Sequence, residues 1–307
     1  GCKKEEAAPP AQAPLVGVVT LQPQAFTLTS DLPGRTTAYR IAEVRPQVNG
    51  IILKRLFKEG ADVKEGQQLY QIDPSVYDAT LKSAQASLSQ TKSISDRYKQ
   101  LVDEQAVSRQ EYDTAVANRM TAEANVQTAQ INVRYTKVFA PISGRIGRSS
   151  VTEGALVSNG QADALAVIQQ LDPIYVDVTQ SSAEMLKLRR DLESGQLEKA
   201  GANAAKVKLT LEDGSSYGLD GKLEFSEVSV DQTTGSVTLR AVFPNPDHTL
   251  LPGMFVHAQL QAGVNSKAIL APQQGVTRDL KGTPTALIVN KDNKVEQREL
   301  VANRTAG

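Results

Sequence analysis

The chain has 307 residues, 40% of them hydrophobic, and this length indicates two to four small domains rather than one ordinary core. Lysine plus arginine and aspartate plus glutamate both number 34, so the formal net charge is zero. A nucleic-acid-binding protein normally carries a basic excess, and the sequence therefore predicts no nucleic-acid partner. No stretch approaches the roughly 20 apolar residues of a membrane-spanning helix, so we expect any membrane attachment to depend on a lipid or a partner.

Residues 1–14 are rich in Ala, Pro, Gln and charged residues without periodicity, which predicts a flexible tether. The single cysteine, Cys2, stands at the start of this segment. Gly1-Cys2 followed by a polar, Ala/Pro-rich stretch resembles a bacterial lipoprotein start, in which the cysteine carries the lipid. The alternative is a chance cysteine in a disordered tail. We expect Cys2 to be lipidated, because the flexible stretch that follows suits an anchor.

Residues 15–45 alternate apolar and polar side chains and are interrupted by prolines, which predicts strands. The chain then contains an internal repeat, in which residues 40–74 are echoed by residues 137–173. Each copy consists of short strands separated by glycines at fixed offsets, about half of a small β-sandwich. The sequence therefore predicts that the two copies fold together as one domain, with residues 75–136 inserted. The matched positions are Gly50 and Gly144, Gly60 and Gly154, Val63 and Val157, Gly66 and Gly160, and Asp73 and Asp172.

The insert is predicted to be a long antiparallel helical hairpin. Neither Gly nor Pro occurs from Ser75 to Ala140, and seam residues recur at alternating steps of four and three, as in a heptad repeat. Ser108 and Glu111 have the spacing of a capping box, so the second helix should begin after Ser108. Each arm of about 30 residues would be about 45 Å long. The predicted seam consists of Tyr77, Leu81, Ala84, Leu88, Thr91, Ser95, Tyr98 and Val102, and of Tyr112, Ala115, Arg119, Ala122, Val126, Ala129, Val133 and Thr136.

This seam is thin and partly polar, since it includes Thr91, Ser95 and Arg119. An ordinary helical domain would need more apolar surface, and two such helices alone should be marginally stable. We therefore expect the hairpin to project from the body and to be stabilised by neighbouring copies or by a partner.

The remaining sequence is predicted to be mostly β. Residues 174–266 contain a strand from Ile174, a helix between the cap Ser181 and Gly195, and four further strands, which together indicate a small closed barrel. Residues 267–307 contain strands without a complete set of partners, and we assign them with residues 15–39 to another β-domain in which the chain ends. The predicted fold is thus mainly β and multidomain, with the hairpin inserted.

The sequence gives no support for catalysis. His248 and His257 lack Cys or carboxylate partners at metal-ligand spacing. A nucleophile motif, a phosphate loop and a dinucleotide fingerprint are also missing. We predict that the protein is not an enzyme and holds no cofactor.

The repeat halves resemble the lipoyl/biotinyl carrier fold, but the helical insert replaces the turn that carries the modified lysine in carriers. Taken together, four motifs, the split repeat and the lipoprotein-like start resemble the membrane fusion protein family of AcrA/MexA type. The motifs lie at residues 45–51, 57–60, 140–147 and 251–256. The resemblance covers nearly the whole chain. It implies that residues 15–39 and 267–307 form the family's membrane-proximal domain, which would be incomplete at its C-terminal end.

The resemblance implies a periplasmic adaptor that links an inner-membrane resistance-nodulation-division (RND) transporter to an outer-membrane channel of TolC/OprM type. It also implies trimers or hexamers and anchoring to the inner membrane through the N-terminal lipid. The family's hairpin-tip motif is Arg, then Leu four residues on, then Ser eleven residues on, which selects Arg97, Leu101 and Ser108 as channel contacts. Two alternatives remain, namely an adaptor of an ABC-type exporter and a lipoyl or biotinyl carrier protein.

Overall fold

The computed structural model describes residues 9–26, 29–261 and 265–302. In this part of the chain the fold is mainly β, with a barrel and few helices, as predicted. The α-helices are α1 (Ser75–Asp103), α2 (Arg109–Tyr135) and α3 (Ser182–Glu193), and a short 3-10 helix spans Gln273–Gly275. The strands are β1 (Pro23–Phe26), β2 (Thr29–Val44), β3 (Gly50–Arg55), β4 (Asp62–Val63), β5 (Gln68–Ile72), β6 (Lys137–Phe139), β7 (Gly144–Ile146), β8 (Leu156–Val157), β9 (Ala166–Ser181), β10 (Lys199–Gly201), β11 (Ala204–Leu211), β12 (Gly221–Val230), β13 (Ser236–Phe243), β14 (Phe255–Gln261), β15 (Asn265–Ile269), β16 (Thr277–Arg278), β17 (Pro284–Val289) and β18 (Val295–Glu299).

The barrel strands surround a core of large aliphatic and aromatic side chains. Strands β13, β12, β11, β14, β2 and β9 are hydrogen-bonded in that order, and β13 also pairs with β9, which closes the ring. In β13 the burial alternates strictly along the strand, because successive side chains point to opposite faces. Leu239 and Phe243 are fully buried in this core, and α3 contributes Leu188 and Leu192 to it.

The two copies of the repeat pair with each other as the sequence predicted. Gly50 in β3 pairs with Val157 in β8, and the matched residues Gly144 and Val63 pair in β7 and β4. The core between them combines side chains of both copies, such as Ile52 and Ile146. A Cβ atom on Gly144 would lie 2.5 Å from the Gln169 carbonyl oxygen, so this repeat position requires glycine.

The N-terminal strand assignment was wrong in part. Residues 15–39 were expected to complement the C-terminal strands, but Thr29–Arg35 pairs with β14, and Gly34–Ala38 pairs with β9. Residues 29–38 are therefore barrel strand, because β2 runs without interruption from the barrel into the repeat domain. Residues 9–22 contain no strand. Among the described residues of the predicted range, only β1 pairs with the C-terminal segment, through β15.

The C-terminal residues form a small separate sheet in the order β16-β17-β18. Several of its apolar side chains are exposed, including Leu287, Val289 and Val295. The strands predicted at residues 286–289 and 295–300 are present as β17 and β18, and β18 ends one residue earlier, at Glu299.

Candidate functional site

Helices α1 and α2 contact each other through the seam that the heptad pattern predicted. Every predicted seam residue is partly or fully buried, whereas most other positions on the two helices are exposed. The fully buried members are small: Ser95 in α1, Ala115, Ala122, Val126 and Ala129 in α2, and Thr136 at the C-cap of α2. Small side chains allow the two helices to pack closely but remove little apolar area from water.

The polar seam residue Arg119 links the helices electrostatically. Its Nη1 lies 3.6 Å from Asp96 Oδ1 in α1, and its Nε lies 3.0 Å from Glu123 Oε1 one turn further along α2. The side chains of Arg119, Asp96 and Glu123 are 34%, 58% and 49% exposed, so water screens both pairs and each contributes little to stability. The ion pairs therefore help to fix the register of α1 against α2, and they add little to the free energy of unfolding.

Helix α1 begins at the repeat domain and is held there by local polar contacts. The Asp73 carboxylate accepts hydrogen bonds from the Ser75 backbone N–H at 3.0 Å and the Ser75 hydroxyl at 2.5 Å. These two bonds stabilise the ionised carboxylate and lower the pKa of Asp73. The Tyr77 hydroxyl donates to the Asn49 carbonyl oxygen at 2.5 Å, which ties the first turn to the residue that precedes β3.

Helix α1 ends in a Schellman motif at the far end of the helical pair. The Ala106 N–H donates to the Leu101 carbonyl oxygen at 2.8 Å, and the Gln105 N–H donates to the Val102 carbonyl oxygen at 3.1 Å. Gln105 takes a left-handed conformation, with φ of 57°, at the position where glycine is most common. The sequence predicted the reversal near residues 105–107, but it contains no glycine to mark this motif.

Helix α2 starts with the predicted capping box. The Ser108 hydroxyl accepts from the Glu111 N–H at 3.1 Å, and the Glu111 carboxylate accepts from the Ser108 N–H at 2.8 Å. This reciprocal pair satisfies two backbone donors that would otherwise lack partners at the helix end. Ser108 therefore has a structural role whether or not it also contacts a partner.

The structure places Arg97, Leu101 and Ser108 in the end region of the pair. Arg97 and Leu101 stand one helical turn apart and so share a face of α1, and Ser108 follows the turn. Arg97 is exposed and forms no ion pair or hydrogen bond with any described residue, whereas Leu101 is half-buried. Cys2, the predicted lipid site, lies outside the described residues.

A polar cluster between the repeat domain and the barrel was missed by sequence reasoning. Arg145 Nη2 lies 3.0 Å from His248 Nδ1, and Arg145 Nε lies 3.9 Å from Asp62 Oδ1. The repeat equates Arg145 and Asp62 with Ile51 and Leu156, which pair in the same way in the other copy. The outer face that carries Asp62 and Arg145 is thus polar and contacts the barrel. The equivalent face of the other copy carries Ile51 and Leu156 and is apolar and exposed. Spacing alone could not show that a loop 100 residues later would reach Arg145.

The described residues lack two further kinds of feature. No helix in them is both long and apolar enough to cross a membrane. No group of three or more His, Cys, Asp or Glu residues in the same ranges could hold a metal ion.

Family models match almost the whole chain in three consecutive parts. Residues 40–169 match the RND membrane fusion protein barrel-sandwich hybrid domain, and residues 173–264 match the β-barrel domain of the same proteins. Residues 267–307 match their C-terminal permuted SH3 domain. A body of barrel and sandwich with two long helices between the sandwich halves defines a membrane fusion protein.

Curated relatives are similar over the full length of the chain. The antibiotic efflux pump periplasmic linker protein ArpA of Pseudomonas putida is 78% identical over 307 residues, which cover all of this chain and 83% of the relative. The multidrug resistance protein MexA of Pseudomonas aeruginosa is 69% identical, covering all of this chain and 80% of MexA. The chain therefore belongs to the RND membrane fusion proteins, of MexA type.

A solved structure supports the same relationship. A MacA–MexA chimeric protein containing the Pseudomonas aeruginosa MexA α-hairpin domain has a TM-score of 0.65 and 28% sequence identity. The match covers 82% of this chain and 87% of the chimera.

Proposed function

We propose that this protein is the periplasmic adaptor subunit of a tripartite multidrug efflux pump. It would link a proton-driven RND transporter in the inner membrane to a channel in the outer membrane. The observation that carries the proposal is the 78% identity, over the whole chain, to a periplasmic linker of an antibiotic efflux pump. All three family models describe RND adaptors, which favours this transporter class over the ABC-type alternative.

We further propose that the helical pair is a docking arm inserted into a lipoyl-like domain. The arm would comprise residues 75–136, the lipoyl-like domain residues 40–74 and 137–173, and the barrel residues 174–266 together with the part of β2 that pairs with it. Residues 267–307 and β1 would contribute to a membrane-proximal domain. The mutual pairing of the two repeat copies supports this division, because neither copy could bury its apolar face alone.

The end of the arm is the proposed contact with the outer-membrane channel. Arg97 supports this assignment most directly, because it is exposed and has no intramolecular partner among the described residues. An exposed guanidinium can donate several hydrogen bonds to carbonyl or carboxylate oxygens of a partner. Leu101, one turn along the same face, would add apolar contact, and Ser108 would add contact beside its capping role.

Self-association and lipid anchoring complete the proposal. The narrow seam between α1 and α2 leaves the pair short of buried apolar area, and packing against arms of neighbouring copies in a trimer or hexamer would supply the missing contacts. Lipidation of Cys2 would hold the protein at the periplasmic face of the inner membrane. The test is metabolic labelling with a radioactive fatty acid, in which wild type should be labelled and Cys2→Ser should not.

The channel contact is tested by Arg97→Asp with Lys92→Asp as the matched control. Both residues are exposed in α1 and both changes reverse a charge, but Lys92 lies more than one turn further from the end. We expect Arg97→Asp to abolish drug resistance and crosslinking to the outer-membrane channel, with unchanged expression and unchanged binding to the transporter. Lys92→Asp should retain resistance. Full resistance in Arg97→Asp would remove the contact assignment but not the adaptor function.

A further inference from the structure

A cleft of about 310 Å³ lies between α3 and the adjoining barrel strands. Its walls come from Arg189 and Glu193 on α3, Lys199 on β10 and Asn203 in the turn before β11, and its floor includes Leu192 and Phe225. Both floor residues are almost completely buried in the barrel core. The base of the cleft is therefore part of the folded body, while its mouth opens to solvent.

Internal hydrogen bonds fix the shape of this cleft. The pairing of β12 with β13 is irregular between Glu224 and Val228, and this irregular segment forms one side of the cleft. The Phe225 N–H donates to the Asn203 carbonyl oxygen at 3.0 Å. From the opposite side, Arg189 Nη2 donates to the Phe225 carbonyl oxygen at 3.0 Å. Because one Nη2 hydrogen bond already orients Arg189, its remaining donors need little reorganisation to receive a ligand.

The charge of the cleft is complementary to an anion. Two of its wall residues, Arg189 and Lys199, are cationic, and neither pairs with a carboxylate whose side chain the structure describes. The single acidic wall residue, Glu193, is exposed at the last position of α3. A guanidinium offers planar, paired donors that match a carboxylate, and an ammonium adds a second charge.

We propose that this cleft binds a small organic carboxylate, which would bridge Arg189 on α3 and Lys199 on β10. The cleft has the volume of a small-molecule site. Its lining is more polar than apolar, which suits a compact polar anion rather than a long hydrocarbon chain. The carboxylate would occupy the Arg189 donors that the Phe225 carbonyl leaves free. The proposal is independent of the docking function of the arm.

The test measures binding to the full chain by isothermal titration, with succinate as the probe. We expect saturable 1:1 binding of succinate, and much weaker binding of butane-1,4-diol, which has the same length without charge. Arg189→Gln should weaken succinate binding by about tenfold or more, since a charge-assisted hydrogen bond is lost. Glu193→Gln should strengthen binding severalfold, because it removes a like charge from the wall.

Arg190→Gln is the matched control, because Arg190 is the next residue of α3, is exposed and does not line the cleft. It should bind succinate as wild type does. If Arg189→Gln fails to fold, Lys199→Gln replaces it, since the Lys199 side chain is exposed, makes no hydrogen bond to a described residue and should tolerate the change. Failure of wild type to bind succinate, equal binding of the diol or of inorganic phosphate, or equal weakening by Arg190→Gln would each overturn the proposal.

Discussion

The barrel and the helical pair differ sharply in how they bury apolar surface. The barrel core contains Leu209, Leu223, Leu239 and Phe243, all 0–1% exposed. Helices α1 and α2 are 29 and 27 residues long, yet their only fully buried apolar residues are three alanines and Val126. At about 25 cal/mol per Å² of apolar surface, the barrel gains far more per residue from burial than the helical pair does.

The barrel is stabilised by its own large core, whereas the helical pair buries little apolar surface within this chain. Helices in folded proteins gain most of their stability from tertiary packing of an apolar face. In the helical pair that face is narrow, so helix caps, turn geometry and a few ion pairs contribute a larger share of the total. Substitutions in the two regions should therefore change the free energy of unfolding by different amounts. In the barrel they act through lost core packing, and in the helical pair through caps, turn geometry and the narrow seam.

The largest effect is expected in the barrel core, for Phe243→Ala. Phe243 is 0% exposed and packs edge-on against Tyr217, with ring centroids 6.3 Å apart. Removing the ring leaves a cavity, and we expect the free energy of unfolding to fall by about 3–5 kcal/mol. Denaturant unfolding checks this, with Phe255→Ala as the matched control, because Phe255 is 56% exposed. Equal destabilisation by the two changes would contradict the burial argument.

A smaller effect is expected in the seam, for Ala122→Leu. Ala122 is 4% exposed where the helices are close, so a larger side chain forces them apart. Overpacking of this kind typically costs about 1–3 kcal/mol. Helicity measured by circular dichroism during urea unfolding should show an earlier loss of helix than in wild type. Ala117→Leu, at an exposed position of the same helix, should leave the transition unchanged. A stabilised Ala122→Leu would show that the seam is underpacked.

The next effect separates the two roles of Ser108. Ser108→Ala removes the side-chain acceptor of the Glu111 N–H and should destabilise α2 by about 1 kcal/mol. Ser108→Asp restores an acceptor and should keep near-wild-type helicity. If Ser108 also contacts the channel, the aspartate variant should remain folded but lose drug resistance. Full resistance in Ser108→Asp would leave Ser108 with the capping role alone.

Much of this architecture followed from local patterns. The repeat predicted strand pairing because its glycines stand at matched offsets, and the heptad steps predicted which residues of α1 and α2 are buried. The sequence could not place residues 29–38, because a strand pattern fixes the inward face but not which strand lies beside it. It also missed the contact of Arg145 with His248, since the two residues meet only after the barrel has folded against the repeat domain.

The smallest effect, and the only one expected to stabilise, is Gln105→Gly. Gln105 occupies the left-handed position of the Schellman motif, with φ of 57°, where a Cβ atom is unfavourable. Glycine relieves this strain but increases the freedom of the unfolded chain, so we expect a net gain of about 0.5–1 kcal/mol. The change should raise the midpoint of helix unfolding without altering the barrel transition.

Glu104→Gly is the matched control, because Glu104 has φ of −87°. This value is favourable for residues with a Cβ atom, so glycine relieves no strain there. That variant should be neutral or destabilised. If Gln105→Gly stabilises the helices but lowers drug resistance, the glutamine side chain itself takes part in the channel contact. If neither stability nor resistance changes, the strain at Gln105 is no larger than the entropy that glycine adds to the unfolded chain. In that case the turn between the helices would not be a weak point, and the contrast between the barrel and the helical pair would apply to the seam alone.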